Sequence, residues 1–278
     1  MPSSPGGKPG HCFKRVGNGP IMDTRERIDR FEGICGRMAA AAARSGRNVS
    51  DVQLVAVSKW HGADAVSSLA RYWAESFAAG ALVGHPVFGE SYVQEAVAKR
   101  AEVEAQFFPP PVEWHFIGHL QSNKAKEVAG QFTLLHSVGS AKLGVALQKA
   151  WNNMVARTPL APGQHALPPQ AILVQINIGR ETQKSGAFPE EAEALITALA
   201  AMPELRVQGL MCLPPDMDDA EDVRPFFRSM RELRDTLRER TGLDLPHLSM
   251  GMSHDFEQAI EEGATLIRVG TDIFGPRR

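Results

Sequence analysis

Eight short apolar runs, separated nearly everywhere by amphipathic stretches of helical period, predict an α/β fold: a single (β/α)8 barrel of the TIM type. Two further observations favour closure. The runs are almost continuously apolar, as strands covered by helices must be. The 278 residues also suit one barrel, which commonly takes about 250. An open doubly wound sheet is the alternative. The chain has neither the GxGxxG nor the GxxxxGK[ST] loop that would mark its nucleotide-binding forms.

The elements follow in order. Residues 1–22 are rich in Gly, Pro and Ser and have no apolar stretch, so they read as a disordered tail and not as a secretion signal. Residues 23–278 are left as the barrel domain. Thr24 can cap an opening helix whose Ile28, Phe31, Ile34, Cys35 and Met38 share one face, with Gly46 past its end. The first strand, "QLVAVSK" (53–59), is followed by a helical pattern from 63 to about 77. Then come "PVFGE" (86–90) with helix 91–105, "VEWHFIG" (112–118) with 122–130, and "FTLLHSVG" (132–139) with 140–156. The second half repeats the alternation: "AILVQINIG" (171–179) with 188–201, "VQGLMCL" (207–213) with 220–241, "HLSMGMS" (247–253) with 254–262, and finally "TLIRVGT" (265–271). Strands of one kind continue on both sides of "PLAPGQHALPPQ" (159–170), so that stretch reads as a loop within one domain.

Composition excludes several classes. A net charge of −2 argues against a polyanion binder, so no nucleic-acid partner is expected. No apolar run approaches the roughly 20 residues of a membrane span. Cys12, Cys35 and Cys212 lack CxxC spacing, which speaks against a disulfide framework or a zinc site and for a reducing compartment. A cytoplasmic protein is expected.

Chemistry gathers at the strand ends. Lys59, Glu90 with Ser91, His115 with His119, Ser137, Asn177, Ser253, Arg268 and Thr271 occupy or follow the C-terminal tips of the runs, and in a barrel these tips converge on one face. Desolvation there would leave Lys59 more free amine, able to attack an aldehyde or ketone; the alternative is a snorkelling or ion-paired lysine. Ser253 with Gly270 and Thr271 supplies hydroxyls and turn amides at strands seven and eight, a pattern suited to a phosphate dianion. A serine cap and a glycine turn would look the same. Arg268 shares a strand face with Gly270 and needs a partner, either a carboxylate or a ligand ring nitrogen. Glu90 could be a base or a strand-end ion-pair partner. His115 and His119 fall in a strand and a loop, so helical metal spacing does not apply and no metal site is expected.

Taken together, "LVAVSK", "FGESYVQE", "WHFIGHLQSNK", "SVGS", "QINIGRETQKSG", "GLMCLPP", "LSMGMSHDFEQAI" and "ATLIRVGTDIFG" resemble, in order, the pyridoxal 5′-phosphate (PLP) homeostasis proteins. These are relatives of the N-terminal barrel of alanine racemase, and the resemblance covers about residues 24–275. It implies a fold-type III PLP-binding barrel with Lys59 holding PLP as an aldimine. It implies further that Ser253, Gly270 and Thr271 hold the phosphate, across the barrel from the amine, and that Arg268 faces the pyridine nitrogen. An arginine there would keep that nitrogen unprotonated. Asn177 joins the expected cofactor contacts from its place at a strand tip. The resemblance adds Ser91, although the family usually has asparagine there and the shorter hydroxyl weakens any contact with the cofactor's phenolic oxygen. Two other departures are Trp60, where a small polar residue is more usual, and an insertion around "ESFAAGALVGHP" (75–86) that could reshape the rim.

A racemase needs a second acid/base opposite the lysine. In alanine racemase that group is a tyrosine from a further domain, which a chain ending at Arg278 would lack. The only tyrosines, Tyr72 and Tyr92, stand elsewhere. The expectation is therefore a non-enzymatic PLP carrier that serves vitamin B6 homeostasis, with PLP-requiring apo-enzymes as potential recipients and no catalytic residues. A PLP-dependent racemase-like enzyme using His115 or another rim residue is the alternative. A cofactor-free Schiff-base aldolase is the third.

Overall fold

The structure, a computed structural model, describes residues 22–106, 112–158 and 167–276. Eight parallel strands pair in sequence order and close on themselves, β1 meeting β8. They are β1 (Gln53–Val57), β2 (Val87–Glu90), β3 (Glu113–Phe116), β4 (Leu134–Val138), β5 (Gln170–Ile176), β6 (Leu205–Cys212), β7 (His247–Ser249) and β8 (Leu266–Val269). Around them run α1 (Thr24–Arg44), α2 (Ala63–Ala78), α3 (Val93–Glu104), α4 (Ala125–Val128), α5 (Ala141–Arg157), α6 (Ala192–Ala200), α7 (Ala220–Thr241), α8 (Phe256–Glu261) and α9 (Thr271–Phe274). The barrel closes and the open-sheet alternative falls. The expected tail and most of the 159–170 loop lie outside the described residues. Among those described, no helix is long and apolar enough to cross a membrane.

Alternation along each strand sorts the core into two parts. Outward-facing Leu54, Ala56, Phe88, Trp114 and Leu135 join the helices in one continuous cluster. Inward-facing Val55, Val87, Leu134, Ala171, Leu173, Met211 and Leu266 form a small plug inside the barrel. The same inward parity carries His115, His136, Ser249 and Arg268, so a polar layer lies beside that plug. Cys35 and Cys212 are free thiols, each pushed up to about 12 chiefly by burial, and therefore inert as nucleophiles.

Two details differ from expectation. Asp23, and not Thr24, caps α1: its backbone is extended and its carboxylate accepts from the Glu26 amide at 2.7 Å. The insertion does not shape the rim. Residues 79–86 lead into the N-terminal end of β2, where Gln53 Nε2 donates to the His85 carbonyl and Trp73 Nε1 to that of Gly84. A segment entering a strand's N-terminus lies on the barrel face away from the strand tips.

The turn after β7 depends on Gly251. Its φ is +91°, and a Cβ there would come within 2.5 Å of Ala259 Cβ and 3.0 Å of Phe256 Cα. Neither atom can swing aside. Gly251→Ala is expected to destabilise the protein by roughly 2–5 kcal/mol, read as a lower midpoint of denaturation. An unchanged midpoint would show that the turn relaxes freely.

Candidate functional site

At the C-terminal mouth of the barrel lies a cavity of about 310 Å³. Six of the residues expected at the site line it: Lys59 beyond β1, Ser91 beyond β2, Ser253 in the turn after β7, and Arg268, Gly270 and Thr271 on β8 and its exit. They converge because a closed parallel barrel brings every strand tip to one rim. The amine and the proposed cradle are neighbours and do not face each other across the barrel. Strand β8 is hydrogen-bonded to β1, and a Cβ on Gly270 would sit 3.1 Å from the Val57 carbonyl oxygen.

The peptide around Lys59 is clamped on both sides. Buried Ser58 donates its hydroxyl to Glu90 Oε1 at 2.6 Å. Lys99 Nζ, reaching across from α3, donates to that same oxygen (2.6 Å), to the Ser58 carbonyl (2.7 Å) and to Glu95 Oε1 (2.9 Å). Glu95 Oε1 in turn accepts from the Trp60 amide at 2.7 Å. Trp60 needs that support because its φ of 69° lies in the left-handed region, which a tryptophan rarely enters. Its half-exposed ring leans on Tyr92, with centroids 4.8 Å apart. Burial raises the Glu90 carboxyl above its ordinary value, against the opposing charge and hydrogen bond of Lys99. Glu90 is thus an ion-pair partner that fixes the segment carrying Lys59.

The second element is a set of backbone donors. Among the described residues, the amides of Ser253, His254, Gly270 and Thr271 donate to no protein acceptor. The 252–255 turn is held open for them by Asp255, whose carboxylate accepts from the Met252 amide at 2.6 Å. The Ser253 and Thr271 hydroxyls stand beside these amides. Such a group of N–H and O–H donors suits an anion with several oxygens.

The third element is Arg268, buried within the barrel yet lining the cavity. Among the described residues it has no carboxylate partner; its Nη1 and Nη2 donate to Ser249 Oγ and to the Cys212 carbonyl. Burial lowers its affinity for a proton somewhat, but a guanidinium remains a cation.

Asn177, also expected at the site, is placed apart from the other six. It does not line the cavity, because its amide binds its own loop: Nδ2 donates to the Glu181 and Lys184 carbonyls, and Oδ1 accepts from the Glu181 amide. His115 is buried inside the barrel, and the His119 ring meets Ser185 on the surface, so neither reaches the cavity as a second base. Sequence reasoning missed His61, which lines the cavity and stacks on Phe274 at 5.0 Å. Its place two residues after Lys59 was the one available signal.

A closed parallel barrel with a lysine, an arginine and an open amide turn at its C-terminal mouth defines a class, and comparison with known proteins agrees. Residues 37–278 match the family described as alanine racemase, N-terminal domain. The pyridoxal phosphate homeostasis protein of Aquifex aeolicus is 37% identical over 92% of this chain and 100% of its own. The chain belongs to this family, and within it to the pyridoxal phosphate homeostasis proteins. The PLP-bound structure of PipY from Synechococcus elongatus is 34% identical, covers 87% of this chain and 100% of its own, and superposes with a TM-score of 0.65. An alanine racemase from Clostridium difficile superposes with a TM-score of 0.62 at 12% identity, a likeness of fold alone, and this chain covers 57% of its length.

Proposed function

We propose that this chain binds PLP at the barrel mouth, holds it through Lys59, and acts in the cytoplasm as a carrier in vitamin B6 homeostasis without turning substrate over. One observation carries the reading: a single cavity is lined by an amine, a cation and an amide-rich turn, the three groups that PLP's aldehyde, ring nitrogen and phosphate call for. PLP supplies an electrophilic aldehyde, which a lysine amine captures as a C=N linkage with loss of water. Lys59 provides the nitrogen, clamped in place by Ser58, Glu90, Lys99 and Glu95. Ser253, Gly270, Thr271 and the open amides at 253–254 and 270–271 would hold the phosphate oxygens. Arg268 would present an N–H donor to the ring nitrogen, which must then accept and stay unprotonated. Ser91, on the cavity wall, is offered as a weaker contact to the ring substituents. The intact structure of Asn177's loop argues for leaving it out of the cofactor set.

The absence of tyrosine from the cavity wall supports a carrier: Tyr72 lies on α2 against Glu32, and Tyr92 stands on the rim. His61 and His254 do line the cavity and are the candidates for a second base in the racemase-like alternative. The test is to load the protein with PLP, add a panel of amino acids in deuterated water, and follow α-proton exchange. The carrier reading expects no sustained exchange, and multiple turnovers would defeat it. PLP-requiring apo-enzymes are the proposed recipients, to be tested by their rate of activation from loaded protein against free PLP. Ser253→Ala should weaken PLP retention about tenfold or more, as expected for one hydrogen bond to a charged oxygen, with thermal stability unchanged. Unaltered release on dilution would contradict the phosphate assignment.

A further inference from the structure

Beside the cavity, four buried polar side chains cross the barrel interior in a line. Arg268 Nη1 donates to Ser249 Oγ at 2.6 Å, and Ser249 Oγ lies 2.8 Å from His136 Nδ1. His136 Nε2 is 3.0 Å from His115 Nδ1. His115 Nε2 faces Glu113 Oε2 at 3.8 Å, and the other Glu113 oxygen pairs with His85 at 2.9 Å. Arg268, Ser249, His136 and His115 are 4%, 0%, 0% and 5% exposed, so solvent does not supply alternative partners.

Hydrogen-bond chemistry fixes the direction of this line. A guanidinium only donates, so Ser249 Oγ must accept from Arg268. Among the described residues, the Ser249 hydroxyl hydrogen then has one acceptor, His136 Nδ1. That nitrogen is therefore bare, and the His136 proton sits on Nε2, where it is donated to His115 Nδ1. His115 must in turn carry its proton on Nε2, turned toward Glu113. We infer that the chain of hydrogen bonds runs one way from Arg268 to Glu113, and that Ser249 and His136 are positioning residues holding the guanidinium toward the cavity.

The charged neighbours are consistent with two neutral rings. Burial first, and then the charges of His115, Arg268 and His247, hold His136 well below the usual imidazole range. His115 is lowered by burial and by His85, with Glu113 opposing. A proton added to His136 Nδ1 would leave the Ser249 hydroxyl with nothing to donate to. The consequence for a ligand rests on the PLP reading, in which Arg268 faces the ring nitrogen; the direction of the hydrogens does not.

Two measurements test the inference. In ligand-free 15N-labelled protein, long-range imidazole spectra should show His136 and His115 as neutral Nε2–H rings at about pH 7.5, with no titration midpoint in the range at or above the ordinary imidazole value. Assignment comes from the resonances lost in His136→Gln and His115→Gln. An Nδ1–H pattern, or a titration midpoint in that range, would overturn the one-way chain, and this holds whether or not PLP binds. In PLP-loaded protein, His136→Phe should shift the visible band and release PLP about tenfold faster. His136→Gln should restore both, because its carbonyl can accept from Ser249 while its amide donates to His115. A wild-type band and release rate in the phenylalanine variant would overturn the positioning role. If that variant does not fold, a band and release rate in His136→Gln far from wild type would do the same. No visible band in unmodified protein would sink the PLP reading alone and leave the ring spectra decisive.

Discussion

Lys59→Ala protein is expected to fold normally and yet to lose the visible absorption of bound PLP, with retention weakened by roughly two orders of magnitude or more. Lys59 follows β1 in a half-buried turn outside the apolar core, so its replacement leaves that core intact. What it would contribute is a bond that no other cavity residue can make, since the remaining donors are hydroxyls, amides, imidazoles and a guanidinium. Lys59→Arg is the sharper control. It keeps a cation and most of the bulk but has no free amine to offer, because a guanidinium stays protonated. Both variants should behave alike. Equilibrium dialysis at increasing dilution and the absorption spectrum read the effect; a variant that keeps the band and the ligand would remove Lys59 from the site.

Lys99→Ala should cost about 3–5 kcal/mol of stability, the penalty for leaving a buried carboxylate without its ion pair. Lys99 and Glu90 side chains are 4% and 0% exposed, and among the described residues Glu90 Oε2 already lacks a hydrogen-bond partner. The pH dependence follows from the direction of the Glu90 shift. Its carboxyl is raised in the folded protein by burial, and Lys99 is the main group opposing the rise, so removing Lys99 raises it further. A raised carboxyl binds its proton more tightly folded than unfolded. Stability is therefore lost as pH climbs above the unfolded value and regained as pH falls toward it. Denaturant midpoints should separate Lys99→Ala from wild type more at about pH 8 than at about pH 5.5. The double variant with Glu90→Gln should recover much of the loss, because the stranded charge is gone. A penalty that does not change with pH would mean that Glu90 is not the source. The same substitution frees the peptide on both sides of Lys59, so PLP retention should weaken along with stability.

The sequence made the barrel legible because strand and helix periods alternate without interruption and the strand tips carry the polar residues. The convergence of Lys59, Ser91, Ser253, Arg268, Gly270 and Thr271 on one cavity is legible for that reason, aided by motif order. Position at a tip was not enough to separate cavity contacts from loop anchors, which is why Asn177 was included. Its amide closes a local turn that spacing alone cannot distinguish from a ligand contact. Lys99 went unseen because it sits in the middle of a helix of low amphipathicity, and only the fold brings it nine residues back to Glu90. The interior line through His136 and Ser249 was hidden for a different reason. His136 stands mid-strand and Ser249 ends β7, each beside apolar neighbours, where a single polar side chain reads as an exception until the closed barrel joins four of them. The face on which the insertion lies follows from strand direction and not from its composition, since a segment entering the N-terminus of β2 stands away from the tips.

The most direct test of the central claim is chemical. Protein loaded with PLP is treated with borohydride, digested and mapped by mass spectrometry. One reduced pyridoxyl adduct is expected, on the peptide containing Lys59. No adduct, or an adduct on another lysine with Lys59 unmodified, would contradict it.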